Sequence, residues 1–453
     1  MAVKQIRTGK NGNHKKGTYY MKIKQSFGEW LPQNRRLVAD WVNRLIEDST
    51  QDRKLRGTAG ESATEQEFAH EEVTEFKQAV TEDPVLRLLA EQMIGQGYAY
   101  DPLDPTGKPQ IHDLDTLFHV IDTIMNIAPE YMQPDAQGRG LIGFPINAVL
   151  DWCMGTQAGY AFFLNEKVNA CLNKILSRWC EFLNSPASAY VLNTGETGWL
   201  CPEAVEELGL DEYIIDKEDE HYGFKSWNDF FTRQFKPGMR KPDSPDDPYV
   251  IVNACESAAY RIADHVKADT KFWLKEQPYS LAYMLDHHAY TERFVNGTVY
   301  QAFLSATHYH CWHAPVDGTI ADVTLIPGTY YAEINEFPYD DAGPNDSQAY
   351  ITHVAARAII MIEADNKDIG TVCFMPVGMS EVSSCDVAVK AGDKVKKGDF
   401  LGRFLFGGST HCLIFEPGVI KEFAIDAIPA PDFNDSAIQK LGSRLAVANK
   451  KEK

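Results

Sequence analysis

The chain has 453 residues, with 44 Lys and Arg against 64 Asp and Glu and a formal net charge of −20. An acidic surface disfavours nucleic acids and anionic membranes as partners, because both carry negative charge. The hydrophobic share of 44% excludes disorder over most of the chain. No apolar run approaches the ~18–20 residues of a membrane-spanning helix. Nine scattered cysteines without a C-x-x-C pair argue against a disulfide framework or a zinc site. We therefore expect a cytoplasmic protein of two or three domains.

The N-terminal half has a basic start followed by helical periodicity. Residues 1–25 contain seven Lys or Arg and no acidic residue, which predicts a flexible, solvated tail. Pro84 is typical of the first turn of a helix, and the polar residues 51–66 predict a loop. We place a helical domain at residues 26–205. The apolar positions of its three clearest helices are Val85, Leu86, Leu88, Leu89, Met93 and Ile94; Leu114, Leu117, Phe118, Ile121, Ile124 and Met125; and Val168, Cys171, Leu172, Ile175, Trp179 and Phe182.

The pattern changes after the Pro- and Asp-rich residues 243–248, which predict a break between elements. Short β-type runs separated by Gly, Pro, Asn and Asp follow. We therefore predict a β-rich domain at residues 206–453 and an α+β fold class. The predicted strands are residues 249–253, 299–303, 318–325, 358–363 and 370–377.

A glycine-rich string near the C-terminus is the sharpest local feature. Residues 395–404 predict a strand, a turn at Gly398 and a second strand, and Gly407-Gly408-Ser409-Thr410 follows. Two glycines leave the backbone free to adopt unusual angles. Such a backbone lets a hydroxyl reach the carbonyl of the residue before it. An ordinary glycine-rich loop is the simpler interpretation of this string alone.

Three histidines fall within six residues, at His308, His310 and His313. In a strand, His308 and His310 would share one face. A metal site would need a further ligand and a different spacing, so we favour a general acid or base for at least one of them. Glu256 follows a predicted strand, where a carboxylate can orient a histidine.

Four strings together resemble the phosphatidylserine decarboxylase family of pyruvoyl-dependent enzymes. They are Tyr-Gly-Phe-Lys-Ser-Trp-Asn-Asp-Phe-Phe-Thr-Arg at residues 222–233 with Phe-Lys-Pro-Gly at 235–238; the position 254–257; Tyr-His-x-x-His-x-Pro at 309–315; and residues 397–410. The resemblance covers roughly residues 220–453. Residues 60–215 look like the helical domain of a fungal subgroup that includes pyruvoyl-dependent L-tryptophan decarboxylases. Two strings also look closer to that subgroup than to the lipid enzymes: Thr-Gly-Trp-Leu at 197–200 and Gly-Gly-Ser at 407–409. The lipid enzymes carry Leu-Gly-Ser-Thr where this chain has Gly-Gly-Ser-Thr.

The resemblance implies that the chain cuts itself between Gly408 and Ser409. The Ser409 hydroxyl would attack the Gly408 carbonyl to give an ester, and β-elimination would then separate a β chain of residues 1–408 from an α chain. Loss of ammonia would leave a covalent pyruvoyl group at position 409. That group would form a Schiff base with the substrate amine and accept electrons as CO₂ departs. The resemblance requires neither a metal nor pyridoxal phosphate.

The resemblance also implies roles for individual residues. His313 would be the base that activates Ser409, and His310 would assist decarboxylation or protonate the carbanion. The family's acidic partner of the base is an aspartate in Ala-Asp-Gly, where this chain has Cys255-Glu256-Ser257. Glu256 is therefore one candidate for that partner, and Asp317 is a second.

Three functions are compared on this basis. We favour decarboxylation of an aromatic L-amino acid, most simply L-tryptophan to tryptamine, with Tyr309 and Trp312 either lining a pocket or forming core. The alternative is phosphatidylserine decarboxylation, which would need a membrane-docking element, and only the basic tail offers one. A biotinyl- or lipoyl-type carrier would need a modifiable lysine at a turn with flanking residues that Lys396 and Lys397 lack. The sequence does not fix the oligomeric state.

Overall fold

A computed structural model of the chain describes residues 35–58, 67–100, 111–131, 143–270, 279–305, 307–334, 347–381, 384–405, 409–431 and 436–451. The predicted tail at residues 1–25 lies outside the described residues, as do Gly407 and Gly408. Of Ser409, the structure describes the backbone only.

The described part of the N-terminal half is helical, and the described C-terminal half is built mainly from strands. The helices are α1 (Arg35–Thr58), α2 (Glu71–Glu82), α3 (Pro84–Tyr100), α4 (Leu114–Ile124), α5 (Pro145–Met154), α6 (Gln157–Phe163), α7 (Glu166–Leu183), α8 (Pro202–Leu208), α9 (Trp227–Phe231), α10 (Leu281–Met284), α11 (Thr291–Phe294) and α12 (Gln348–Val354). The predicted α+β class is confirmed, whereas the domain boundary at 205/206 stays a prediction.

The three clearest predicted helices are present as α3, α4 and α7, and polar residues fix where two of them begin. The Asp113 side chain accepts a hydrogen bond from the Thr116 amide at 2.7 Å, and the Asn165 side chain accepts one from Lys167 at 2.9 Å. Both are N-cap contacts that satisfy otherwise unpaired helix amides. α3 begins at Pro84, as predicted.

Two predictions for this half were wrong. The predicted loop begins inside a helix, because α1 continues to Thr58, and Arg53 pairs there with Asp115 of α4 at 2.8 Å. The other part of that loop, residues 59–66, lies outside the described residues. The predicted apolar face of α3 is only partly buried: Val85 is 63% exposed and Leu88 54%, while Leu86, Met93 and Ile94 are buried.

The strands within the described ranges form three antiparallel sheets. They are β1 (Val250–Val252), β2 (Ser257–Ala263), β3 (Thr298–Leu304), β4 (Cys311–His313), β5 (Gly318–Ile326), β6 (Arg357–Ala364), β7 (Thr371–Gly378), β8 (Ser384–Val387), β9 (Lys394–Val395), β10 (Phe400–Leu405), β11 (Ser409–Phe415), β12 (Ile420–Phe423), β13 (Ile438–Gln439) and β14 (Arg444–Ala448). The eight-stranded sheet has the order β13-β2-β3-β11-β7-β6-β5-β9, and the two smaller sheets have the orders β4-β10-β8 and β1-β14-β12. All five predicted strands are confirmed, as β1, β3, β5, β6 and β7.

The predicted strand–turn–strand at residues 395–404 is present, but its two strands do not pair with each other as they would in a hairpin. Gly398 takes a positive φ of 83°, as a turn there requires. However, β9 pairs with β5 at the edge of the eight-stranded sheet, whereas β10 pairs with β4 and β8. The turn therefore carries the chain from one sheet to another, a long-range outcome that a local pattern does not encode.

The small sheet packs on the large one through aromatic rings. Trp312 of β4 lies with its ring centroid 5.8 Å from that of Phe374 on β7 and 5.1 Å from that of Phe404 on β10. Gly402 of β10 leaves room for this indole. A Cβ atom at Gly402 would lie 2.5 Å from Cζ3 of Trp312 and 2.5 Å from the Asp386 backbone oxygen.

Gly402→Ala is therefore expected to lower the free energy of unfolding by about 1–3 kcal/mol, because the added methyl overpacks the junction of the two sheets. Chemical unfolding followed by tryptophan fluorescence measures this change. Gly95→Ala is the matched control, since a Cβ there meets no atom within 4 Å and the site is helical. It should raise the same free energy by about 0.5–1 kcal/mol. Equal midpoints for the two variants would contradict this account of the junction.

Candidate active site

Ser409 is the first residue of β11, a strand paired on both edges. Its backbone lies opposite Leu304 of β3 and Gly378 of β7. The next residue, Thr410, is buried, and its hydroxyl donates to the Ala302 carbonyl at 3.0 Å. The Gln301 amide donates in turn to Thr410 Oγ1 at 3.0 Å. These contacts hold the start of β11 in a fixed position.

Three segments cross from the large sheet to the β4-β10-β8 sheet at this point, and we name them the crossing segments. They are residues 305–310 from β3 to β4, residues 379–383 from β7 to β8, and residues 406–408 from β10 to β11. In the large sheet β11 lies between β3 and β7, and in the small sheet β10 lies between β4 and β8. The ends of the segment that contains Gly407 and Gly408 are therefore flanked by the ends of the other two.

His310 lies in the first crossing segment, close to the end of β10. Its backbone carbonyl accepts a hydrogen bond from Phe404 at 2.9 Å, and its buried ring stacks on Phe231 with centroids 4.1 Å apart. Burial lowers the pKa of His310 well below the usual range, so the ring is neutral near pH 7. The sequence-based picture of His308 and His310 on one strand face was wrong, because β4 begins only at Cys311.

His313 is held at the opposite end of β10. It lies across from Phe400, and its Nδ1 atom donates to the Gly398 carbonyl at 2.7 Å. Because Nδ1 carries the proton, the lone pair is on Nε2, which lies 3.1 Å from the Tyr309 hydroxyl and accepts a hydrogen bond from it. Burial lowers the pKa of His313, so the ring is a neutral base near pH 7. Phe400 and Leu405 are five positions apart along β10, or roughly 16 Å at strand spacing. The pairing of His313 with Ser409 stays a prediction.

The structure brings neither predicted carboxylate to the His313 ring. Glu256 is buried and pairs with Arg240, and its second oxygen accepts a hydrogen bond from the Leu441 amide at 3.3 Å. Asp317 instead accepts from the Lys397 amide at 2.8 Å and lies 3.3 Å from Lys396 Nζ. Arg240 sets this arrangement, because its guanidinium also pairs with Glu212 at 2.7 Å.

Other residues singled out in the sequence have structural surroundings. Tyr309 and Trp312 are fully buried core aromatics. Lys397 is buried and donates to two backbone carbonyls, which differs from the exposed lysine of a carrier domain. Among the described residues, one group has the composition of a metal site, namely Glu67, Asp115 and His119. The Lys77 ammonium pairs with both of its carboxylates, at 2.5 and 2.8 Å.

Sequence reasoning missed two buried titratable residues beside the start of β11. His411 shares a strand face with Ser409, and neither of its ring nitrogens has a hydrogen-bond partner among the described residues. Burial lowers the pKa of His411 to about 3. Glu381 lies in the crossing segment after β7 and is 5% exposed. His411 could have been found from the sequence, because it stands two residues after Ser409. Glu381 could not, because its relation to Ser409 depends on the pairing of β7 with β11.

Comparison with known proteins gives matches along most of the chain. Two family models, both described as phosphatidylserine decarboxylase, match residues 70–208 and 227–430. "Decarboxylase iboD" from Amanita muscaria is 40% identical over 333 residues, which cover 68% of this chain and 95% of that protein. "L-tryptophan decarboxylase" from Psilocybe cubensis is 33% identical over 75% of this chain and 79% of that protein. "Phosphatidylserine decarboxylase proenzyme 3" from Schizosaccharomyces pombe is 31% identical over 49% of this chain and 22% of that protein. No helix within the described residues has the length and apolarity needed to cross a membrane.

Arg240→Ala is expected to lower the free energy of unfolding by about 3–5 kcal/mol, because it leaves the buried Glu256 carboxylate without its cation. Chemical unfolding measures the change. Arg403→Ala is the matched control: its partner Asp386 is 46% exposed, so its loss should cost under about 1 kcal/mol. A loss for Arg240→Ala no larger than the control's would show that the buried pair is not needed for stability.

Proposed function

We propose that this chain, which belongs to the phosphatidylserine decarboxylase family, is a self-cleaving, pyruvoyl-dependent decarboxylase of an aromatic L-amino acid, with L-tryptophan as its substrate. The position of Ser409 carries the proposal. It follows two glycines, opens the buried strand β11, and is held between β3 and β7.

The residues at the start of β11 fit a covalent pyruvoyl group. A cut between Gly408 and Ser409 leaves all seven β11 residues paired with both neighbouring strands, so the new terminus stays anchored. Buried polar atoms without partners lie nearby, on Glu381 and on His411. When present, the pyruvoyl group supplies a ketone that joins the substrate amine and withdraws electrons from the carbon that loses CO₂.

The chain's own residues have three tasks in this proposal. A base must take the Ser409 hydroxyl proton during self-cleavage. His313 has the neutral ring and the unprotonated Nε2 atom that a base needs, and it must approach Ser409 from its place beside Gly398. The second task is to keep the His310 ring beside the end of β10, and its stacking on Phe231 does this. The enclosed site must exclude water, which strengthens electrostatic effects on the departing carboxylate. We assign Glu256 to the support of Arg240 rather than to His313.

The substrate assignment is supported by relatives and by charge. Two of the relatives, from Psilocybe cubensis and Psilocybe cyanescens, carry the name L-tryptophan decarboxylase, at 33% and 35% identity. The net charge of −20 opposes binding to an anionic lipid surface. The alternative, phosphatidylserine decarboxylation to phosphatidylethanolamine, is supported by both family models and by the Schizosaccharomyces pombe relative.

Purified wild-type protein should consist of two chains, the smaller being the 45 residues 409–453 with a ketone at its terminus. Ser409→Ala should remain a single uncut chain without decarboxylase activity, because no hydroxyl is present to attack Gly408. Intact-mass measurement on both proteins tests this. Ser177→Ala, an exposed position on α7, is the control and should be cut like the wild type. A wild-type chain that stays whole would contradict the self-cleavage proposal.

A substrate panel decides between the two activities. We expect amine formation from L-tryptophan, and less from L-phenylalanine and L-tyrosine, with no turnover of phosphatidylserine in vesicles. L-Leucine and L-glutamate serve as amino acids that lack an aromatic ring, and Ser409→Ala serves as the inactive protein. Turnover of the lipid alone would overturn the amino-acid assignment. Turnover of a non-aromatic amino acid alone would overturn the aromatic part of it.

A further inference from the structure

Glu381 lies midway along the crossing segment that leaves β7. Three residues before it, Gly378 pairs with Ser409, and three residues after it, Ser384 pairs with Leu405. Glu381 is therefore three residues along the chain from the residue that flanks Ser409. Cross-strand partners lie about 5 Å apart, so Gly378 places the start of this segment beside the backbone of Ser409.

The Glu381 carboxyl is fixed at one oxygen and unpartnered at the other. Its Oε1 atom accepts hydrogen bonds from the Ile146 amide at 2.6 Å and the Asn147 amide at 2.8 Å, both in the first turn of α5. Its Oε2 atom is buried and has no hydrogen-bond partner among the described residues. Capping α5 accounts for Oε1 only, and a buried oxygen without a partner is costly unless a ligand or a reaction uses it.

Among the groups that face one another here, Glu381 is the one that changes its protonation state near neutral pH. Tyr331, from the segment after β5, is fully buried, and its hydroxyl has no partner among the described residues. Burial and the nearby Glu381 raise the pKa of Tyr331 well above the usual range, so it stays neutral. α5 contributes amides and the Asn147 side chain, which accepts a hydrogen bond from Ser380 at 2.8 Å.

Burial raises the pKa of Glu381 to about 8, against the opposing effect of the two amide hydrogen bonds. The carboxyl is therefore largely protonated near pH 7. Because Oε1 accepts both amides, the proton belongs on Oε2, where it can be donated. His310 is less suited to give a proton, because its ring is already neutral and would have to become an anion.

We propose that Glu381 is the proton donor of the decarboxylation, and that its Oε2 atom delivers the proton to the substrate carbon from which CO₂ leaves. This inference rests on the proposed amino-acid decarboxylase function. As the bond to the carboxyl group breaks, its electron pair stays on the α-carbon. The Oε2–H bond then breaks, the proton goes to that carbon, and the O–H electron pair remains on Glu381 as a carboxylate. The two amides at the start of α5 stabilise that anion, and solvent water restores the proton before the next turnover.

Glu381→Gln tests this role, because the amide oxygen can still accept both α5 hydrogen bonds while the acidic proton is lost. Self-cleavage should be unchanged by intact mass. The kcat should fall roughly 100-fold with little change in KM. In the wild type, kcat should fall as pH rises through about 8, since the donor loses its proton there, and the variant should lack this fall.

A second readout follows the proton itself. Without the Glu381 donor, a proton from solvent goes to the former ketone carbon at position 409 instead of the substrate carbon. Hydrolysis then releases the substrate part as an aldehyde and leaves an amine on the carbon at position 409. The variant should therefore produce aldehyde and accumulate small chains that end in alanine, both measured by mass spectrometry after turnover. The wild type should keep its ketone terminus.

Ser380→Ala is the matched control, because it removes a side-chain contact with Asn147 of α5 but keeps the acid. It should retain the wild-type pH profile and ketone terminus. An unchanged kcat and ketone terminus in Glu381→Gln would overturn the inference while leaving the proposed function intact. If that variant fails to fold, a wild-type kcat that does not fall on the alkaline side of pH 8 would overturn it instead. Wild-type protein that decarboxylates no amino acid in the panel would contradict the proposed function itself.

Discussion

The double pairing of β11 is the constraint on which the candidate site depends. β3 and β7 flank this strand along all seven of its residues, and Thr410 to Phe415 are buried. A chemical group at position 409 is therefore fixed by backbone hydrogen bonds that a cut before it does not remove. The chain leaves β3 after Leu304 and β7 after Gly378, so both neighbouring strands end beside that fixed point.

Burial determines which protonation states are available to the candidate residues. Desolvation disfavours charge, so it lowers the pKa of His310, His313 and His411 and raises that of Glu381. The histidines are therefore neutral and the carboxyl is largely protonated at the same pH. One physical cause thus sets the protonation states of both the proposed base and the proposed acid.

The amount that sequence could predict depends on how local the signal is. The strands at residues 299–303 and 370–377 were predictable because both runs are largely apolar, and Ser409 stood out through the glycines before it. The division of β9 and β10 between two sheets was not predictable, since it depends on pairings with β5 and β4 that are distant in sequence. The Glu256–Arg240 pair and the burial of Glu381 were missed for the same reason.

The two matched family segments contact each other beside the proposed acid. Asn147 of α5 binds Ser380, Asn169 of α7 accepts a hydrogen bond from the Tyr330 amide at 3.2 Å, and Asn173 donates to the Tyr330 hydroxyl at 2.5 Å. These contacts lie directly beside Glu381 and Tyr331. A shift of α5 would withdraw the amides that hold the Glu381 carboxyl and would change both its position and its pKa. The helical segment therefore shapes the chemistry of the β-rich segment, because the start of one helix completes the surroundings of the acid.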